Sequence, residues 1–141
     1  MKRHGSAQWM GSLKEGKGTV STESGILDNT PYSFQTRFDE ESGTNPEELI
    51  AAAHASCFSM ALSALLEQEN LTPKIIKTTS TVVLEKSEEG FSIPSIHLKV
   101  TAIIPDADYA VFNKVALKAK EGCPISKLMR AKITMDAILE H

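Results

Sequence analysis

The sequence predicts a single α+β domain, and three observations carry that prediction. Short extended pieces separated by glycines fill the chain up to Phe38, a capped helix apolar on nearly every side follows, and two long alternating stretches joined by a glycine turn come next. With 141 residues, 41% hydrophobic and 23% charged, the chain has the size and balance of one globular domain. Aromatics make up only 6%, so its core must rest on Ala, Leu, Ile and Val.

The elements follow in order. Gly11, Gly16, Gly18, Gly25 and the Asn29-Thr30-Pro31 turn break the first segment, leaving extended pieces at Ala7–Trp9, Gly18–Ser21 and Tyr32–Phe38. These predict a small antiparallel sheet of about three strands, closed off by Ser42-Gly43. Thr44-Asn45-Pro46-Glu47-Glu48 is a helix start, with a capping residue ahead of Pro at the first helical position and acids in the first turn. Asn45 is the favoured cap because Pro46 then occupies that first position. The helix should reach about Glu69, before Asn70 and Pro73. Two strands, about Lys74–Lys86 and Phe91–Ile104, flank the Ser87–Gly90 turn as a hairpin. Ile96, Leu98, Val100, Ala102 and Ile104 alternate with more polar neighbours, which gives the hairpin one buried face. A second helix is expected over about Ala107–Glu121, with Val111, Val115, Leu117 and Lys118 on a mixed face. Gly122 ends it, Cys123-Pro124 starts a short helical turn, and Lys132–Leu139 forms the last strand.

The Leu49–Leu66 stretch has the length of a marginal membrane-crossing helix. His54, Ser56, Ser59 and Ser63 interrupt it and Glu47, Glu48 and Glu67 flank it, so burial in protein is expected and no membrane. One small sheet cannot cover every side of such a helix, which points to a second copy of the chain. No signal-type apolar stretch opens the sequence, so secretion is not expected. The net charge of −3 and pI of about 5.8 provide no basic footprint for nucleic acid. Metal, phosphate-loop and Ser-His-Asp patterns are absent, and two cysteines are too few for a disulfide scaffold or a zinc site.

Those cysteines are the candidate chemistry. Cys57 sits three turns into the helix, where it is either a buried structural thiol or a nucleophile. Burial raises a thiol pKa, so a reactive Cys57 needs a cation, and Arg37 is the natural candidate. His54, three residues earlier, faces the same side and is read as a core histidine, with a Cys-His pair as the alternative. Glu47 precedes Cys57 by ten positions, about 15 Å along a continuous helix. A long arginine, a helix break or a second subunit must bridge that gap if the two act together. Cys123 stands at the mouth of a helical turn whose N–H groups favour a thiolate. Two cysteines in contrasting settings are compatible with a peroxidatic and a resolving thiol, though the spacing alone does not specify one.

Three stretches carry a family resemblance: Gly16–Gly25 (GKGTVSTESG), Thr44–Leu62 (TNPEELIAAAHASCFSMAL) and Gly122–Ser126 (GCPIS). Together they resemble the osmotically inducible protein C (OsmC) family over essentially the whole chain, and the related organic hydroperoxide resistance proteins share the Cys-containing helix. The resemblance implies a thiol-dependent peroxidase that reduces organic hydroperoxides, built as an intertwined homodimer in the cytoplasm, with no bound cofactor. It implies Cys57 as the peroxidatic thiol, Cys123 as the resolving one, and Arg37 and Glu47 as the residues that activate Cys57. It further implies a Cys57–Cys123 disulfide recycled by an external dithiol, a dihydrolipoyl group on a partner protein. Phe58, Met60 and Leu62 are expected to make the site apolar and selective for organic peroxides. The alternatives on the same fold are an apolar-ligand binding protein with bystander cysteines and a redox sensor.

Overall fold

Strands β1 (Gly5–Met10), β2 (Lys17–Thr22) and β3 (Thr30–Tyr32) form the expected first sheet, in the order β1-β2-β3 with both pairings antiparallel. They belong to a computed structural model that describes all residues, Met1–His141. The chain divides into two compact units, Met1–Leu49 and Ile50–His141. In the first unit, Gly18 lies opposite both Trp9 and Tyr32, whose ring centroids are 5.4 Å apart. A Cβ at Gly18 would sit 2.5 Å from Tyr32 Cε1 and 2.7 Å from Trp9 Cε3, so only glycine lets those rings close over the strand.

The expected extended run Tyr32–Phe38 is corrected. β3 stops at Tyr32, and a short helix α1 (Phe34–Phe38) follows. Its cause is local: Ser33 Oγ accepts the Thr36 N–H at 3.2 Å while Thr36 Oγ1 accepts the Ser33 N–H at 2.8 Å, a reciprocal capping box. No apolar side chain of this first unit is fully buried; its buried positions are Gly16, Gly18, Thr36 and Thr44.

Helix α2 (Pro46–Gln68) runs unbroken through the boundary between the units. Asn45 is its cap, with Oδ1 accepting the Glu48 N–H at 2.8 Å and Pro46 opening the helix, as expected. At the far end Asn70 adopts φ +58°, and the Leu71 N–H reaches back to the Leu66 carbonyl at 3.0 Å, a left-handed stop suited to Asn. α2 is long and apolar enough to cross a membrane by length and composition. It buries one stripe, His54, Phe58, Leu62 and Leu66, while Ala52, Ala53, Ser56, Met60, Ser63 and Ala64 remain exposed within the chain.

The second unit is built on strands β4 (Ile75–Ser87), β5 (Gly90–Ile103) and β6 (Lys132–Glu140), with β5 in the middle. β4 and β5 form the expected hairpin, in register from Ile75 opposite Ile103 to Ser87 opposite Gly90, with an irregularity between Val83 and Glu85. β6 pairs parallel with β5, from Ser95 opposite Lys132 to Ile103 opposite Glu140. A parallel neighbour needs a crossover, supplied by α3 (Tyr109–Gly122) and the short α4 (Pro124–Leu128). Ile96, Leu98, Val100, Ala102 and Ile104 are all fully buried, as the alternation predicted. The face of α3 is corrected: Phe112, Val115, Ala116 and Ala119 go inward and Leu117 stays 42% exposed. Small alanines bring that helix close to the sheet, a role residue size alone did not suggest. Its start also shifts to Tyr109, because Asp108 Oδ1 caps the Val111 N–H at 3.1 Å.

The close approach at Gly18 generates a prediction. Gly18→Ala should destabilise the first sheet by about 1–3 kcal/mol through forced displacement of the two rings. Trp9 is the sole tryptophan, so its fluorescence during thermal unfolding reports on this sheet directly. An unchanged midpoint would show that the rings are free to move apart.

Candidate active site

Two pairs of expected site residues are brought together, each within one unit. In the first unit Arg37, on α1, meets Glu47, in the first turn of α2. Nη2 donates to Glu47 Oε1 at 2.6 Å and Nε donates to both carboxylate oxygens at 3.2 Å. This fork is partly shielded, the Glu47 side chain being 13% exposed, and it fixes the guanidinium plane in a way a lysine could not. The guanidinium also lies over the Phe38 ring, 5.4 Å from its centroid. A cavity of about 300 Å³ opens beside Arg37, lined by Trp9, Leu13, Tyr32, Phe34, Phe38 and Pro46.

In the second unit Cys57 and Cys123 are free thiols with their Sγ atoms 3.0 Å apart. That is about 1 Å longer than a disulfide bond. Cys57 is half-buried on α2, and Cys123 is fully buried at the junction where it ends α3 and caps α4. With both sulfurs protonated the Cys123 thiol donates to Cys57, and after one proton is lost the charged sulfur becomes the acceptor. Burial pushes the Cys57 thiol up from its ordinary value; the hydrogen bond and charge of Cys123 push the same way, against a smaller pull from the Ile125 backbone. No cation contributes to its shift. Burial also pushes Cys123 up, but its hydrogen bonds with the Cys57 thiol and with Ser126 and Ile125 outweigh that and bring it down overall.

His54 is fully buried in the same region. Its Nε2 is 2.8 Å from Ser126 Oγ, and its Nδ1 has no hydrogen-bond partner. Burial pushes its pKa down, so the imidazole is neutral. It is a core histidine rather than a partner bonded to Cys57, but sequence reasoning gave Ser126 no role beyond its place in the GCPIS stretch. The only signal was the shared three-residue spacing of His54–Cys57 and Cys123–Ser126.

The expected apolar lining is corrected. Phe58 and Leu62 are fully buried core residues of α2, and Met60 is 75% exposed on another face, so these three do not line one pocket. Residues four apart on a helix share a stripe, whereas 58 and 60 diverge.

Comparison with known proteins decides the family. A sequence profile described as OsmC-like protein matches residues 39–137. The chain belongs to the OsmC-like family. It is 53% identical over 134 residues to a protein named peroxiredoxin OsmC from Escherichia coli (strain K12), covering 95% of this chain and 94% of that one. It is 29% identical over 119 residues to organic hydroperoxide resistance protein OhrB of Bacillus subtilis (strain 168), covering 82% and 84%. The crystal structure of the Bacillus subtilis OhrB matches the fold with a TM-score of 0.68 at 25% identity, covering 97% of this chain and 98% of that one. An OsmC-like protein from Vibrio cholerae matches with a TM-score of 0.77 at 15% identity over 98% and 99%, a likeness of fold alone.

The electrostatics of this OsmC-like site give a signed expectation. Cys123 contributes two of the influences that raise Cys57, so Cys123→Ala should move the Cys57 titration to lower pH, leaving burial opposed by the Ile125 backbone. The rate of Cys57 alkylation against pH, resolved by peptide mass, measures this. A midpoint that stays or rises in the variant would show that Cys123 does not suppress the Cys57 thiolate.

Proposed function

We propose that this chain is a thiol-dependent peroxidase that reduces organic hydroperoxides to alcohols. The observation that carries the reading is the pair of free thiols 3.0 Å apart, one half-buried on a helix and one held at a helix cap. The names of the relatives supply the substrate class.

Cys57 is the peroxidatic thiol. Its thiolate attacks the distal oxygen of ROOH; the S–O bond forms as the O–O bond breaks, and the leaving alkoxide takes a proton to become ROH. Cys57 is oxidised to a sulfenic acid and the hydroperoxide is reduced by two electrons. The family resemblance assigns Arg37 the role of favouring the thiolate that burial suppresses and of donating hydrogen bonds to the charge developing on the leaving oxygen, with Glu47 fixing its plane. Cys123 then attacks the Cys57 sulfur, the S–S bond forms, the S–O bond breaks, and hydroxide leaves with the Cys123 proton as water. An external dithiol, of the dihydrolipoyl type, exchanges with the disulfide and restores both thiols as its own sulfurs become oxidised. Such exchange suits the reducing cytoplasm. The aromatic cavity beside Arg37 supports a preference for substrates with an apolar tail over hydrogen peroxide.

The working form is a homodimer. α2 leaves small and apolar residues uncovered, and the first unit buries no apolar side chain of its own, an unstable arrangement for a three-stranded sheet in water. Small residues such as Ala52, Ala53 and Ser56 permit close helix approach, which a second copy of the same helix can use.

Free thiols counted before and after one equivalent of tert-butyl hydroperoxide test the reaction. Reduced protein should lose both thiols, and Cys57→Ser, which has the Cys123 thiol alone, should keep it. Survival of both thiols in the unmodified chain would overturn the peroxidase reading. For the assembly, light scattering should give twice the chain mass, and Met60→Glu should shift it toward monomer with loss of stability. A stable, active monomer in the unmodified protein would contradict the dimer.

A further inference from the structure

We propose that His54 and Ser126 form a positioning pair that keeps Cys123 in register with Cys57 and thereby sets the rate of disulfide formation, leaving the peroxide-reducing step alone. The inference rests on the peroxidase reading and adds two residues to it.

The geometry is a ladder with two rungs. His54 and Cys57 are three residues apart on α2, so they lie on one side of it, a turn apart. Ser126 and Cys123 are three residues apart at the start of α4. The rungs pair in opposite order, His54 Nε2 with Ser126 Oγ at 2.8 Å and Cys57 Sγ with Cys123 Sγ at 3.0 Å. Ser126 is tied to both, because its backbone N–H donates to Cys123 Sγ at 3.4 Å. Moving Ser126 therefore moves the hydrogen bond that holds the Cys123 sulfur.

An imidazole at this position is costly unless that bond matters. The other residues of the stripe are Phe58, Leu62 and Leu66, all fully buried. His54 is equally buried, yet its Nδ1 has no partner, a penalty an apolar side chain would avoid. Placing the proton on Nε2 makes the imidazole the donor to Ser126 Oγ and leaves Nδ1 as an unpaired acceptor, a less costly orphan than a buried N–H. α4 is a five-residue helix, too short to hold itself, so an outside anchor decides where its first turn rests.

The step that depends on this anchor is the second one. The Cys123 sulfur must attack the Cys57 sulfenic sulfur, expelling hydroxide that leaves as water with the Cys123 proton. Reactivity in such a step falls steeply when the reacting atoms lose their approach geometry. Oxidation of Cys57 by ROOH does not need Cys123 in place. His54 has no hydrogen bond to either sulfur and acts through Ser126, so it is a positioning residue rather than a catalytic one.

The test separates the two steps. Reduced protein receives one equivalent of tert-butyl hydroperoxide, and quenched samples are scored for Cys57 sulfenic acid, trapped with a dione, and for the disulfide. The readout is the rate of disulfide formation relative to sulfenic acid formation, a ratio that a smaller folded fraction leaves unchanged. Ser126→Ala should lower the ratio about tenfold, the scale of one buried hydrogen bond, with sulfenic acid accumulating. Ser126→Thr, which keeps the hydroxyl, should restore it to within about threefold of the unmodified protein, and His54→Gln, which keeps a donor near Nε2, should fall between. An unchanged ratio in Ser126→Ala, or a loss that Ser126→Thr does not recover, overturns the proposal. Failure of the unmodified protein to lose any thiol is seen before any variant is made and strikes the peroxidase reading instead.

Discussion

Everything in the second unit depends on how α2 is rotated against the sheet, and one stripe of four side chains sets that rotation. His54, Phe58, Leu62 and Leu66 recur every fourth residue and are fully buried, the last three in one core with Leu98, Val100 and Ala102 of β5 and with Phe112 and Ala116 of α3. A close-packed interior resists rotation of such a helix, because turning it would open voids on one side and clashes on the other. Cys57 precedes Phe58 and is carried to the margin of this contact, packed against the core yet half-buried. Cys123 is held by an equally rigid arrangement: its N–H bonds the Ala119 carbonyl at 3.0 Å while its sulfur caps α4. Two sulfurs on two stiff supports make a short, defined separation, which neither loop nor flexible terminus could maintain.

That precision creates an electrostatic difficulty. The burial that positions the sulfurs opposes ionisation of both, and the hydrogen bonds available within the unit relieve Cys123 rather than Cys57. The proposed peroxidatic role of Cys57 therefore needs positive charge from outside its own unit. The Arg37–Glu47 fork is the cation proposed for that role, and its guanidinium is fixed by three hydrogen bonds within the first unit.

Much of this was legible in the sequence because the signals were local. The α2 start is written in Asn45-Pro46-Glu47-Glu48, its end in Asn70, and the inner face of β5 in strict alternation from Ile96 to Ala102. The failures come from competition between two local codes or from contacts distant in sequence. Around Tyr32–Phe38 the flanking breaks suggested an extended piece, but the Ser33–Thr36 capping box gave the backbone a better set of partners. On α3, Leu117 was placed on a mixed face with Val111, Val115 and Lys118, whereas the buried face is Phe112, Val115, Ala116 and Ala119. The parallel pairing of β6 and the His54–Ser126 bond join segments whose proximity only the assembled fold creates. Of the site, the residue types were readable through resemblance, and the hydrogen bonds that orient them were not.

The unbroken course of α2 narrows how the two halves of the proposed site can cooperate. Glu47 in its first turn and Cys57 ten residues on are separated by about 15 Å of helix. A break in the helix was one way to shorten that path, and continuous helix from Pro46 to Gln68 removes it. What is left is the length of the arginine side chain or a contribution from a second copy. The proposed assembly rests on independent grounds, a first unit with no fully buried apolar side chain and a helix that leaves small residues exposed. A dimer that covers those surfaces would also exclude water from around the thiols, where any charge brought to them acts more strongly. Stability and thiol activation would then have one physical source, so that loss of assembly removes both together.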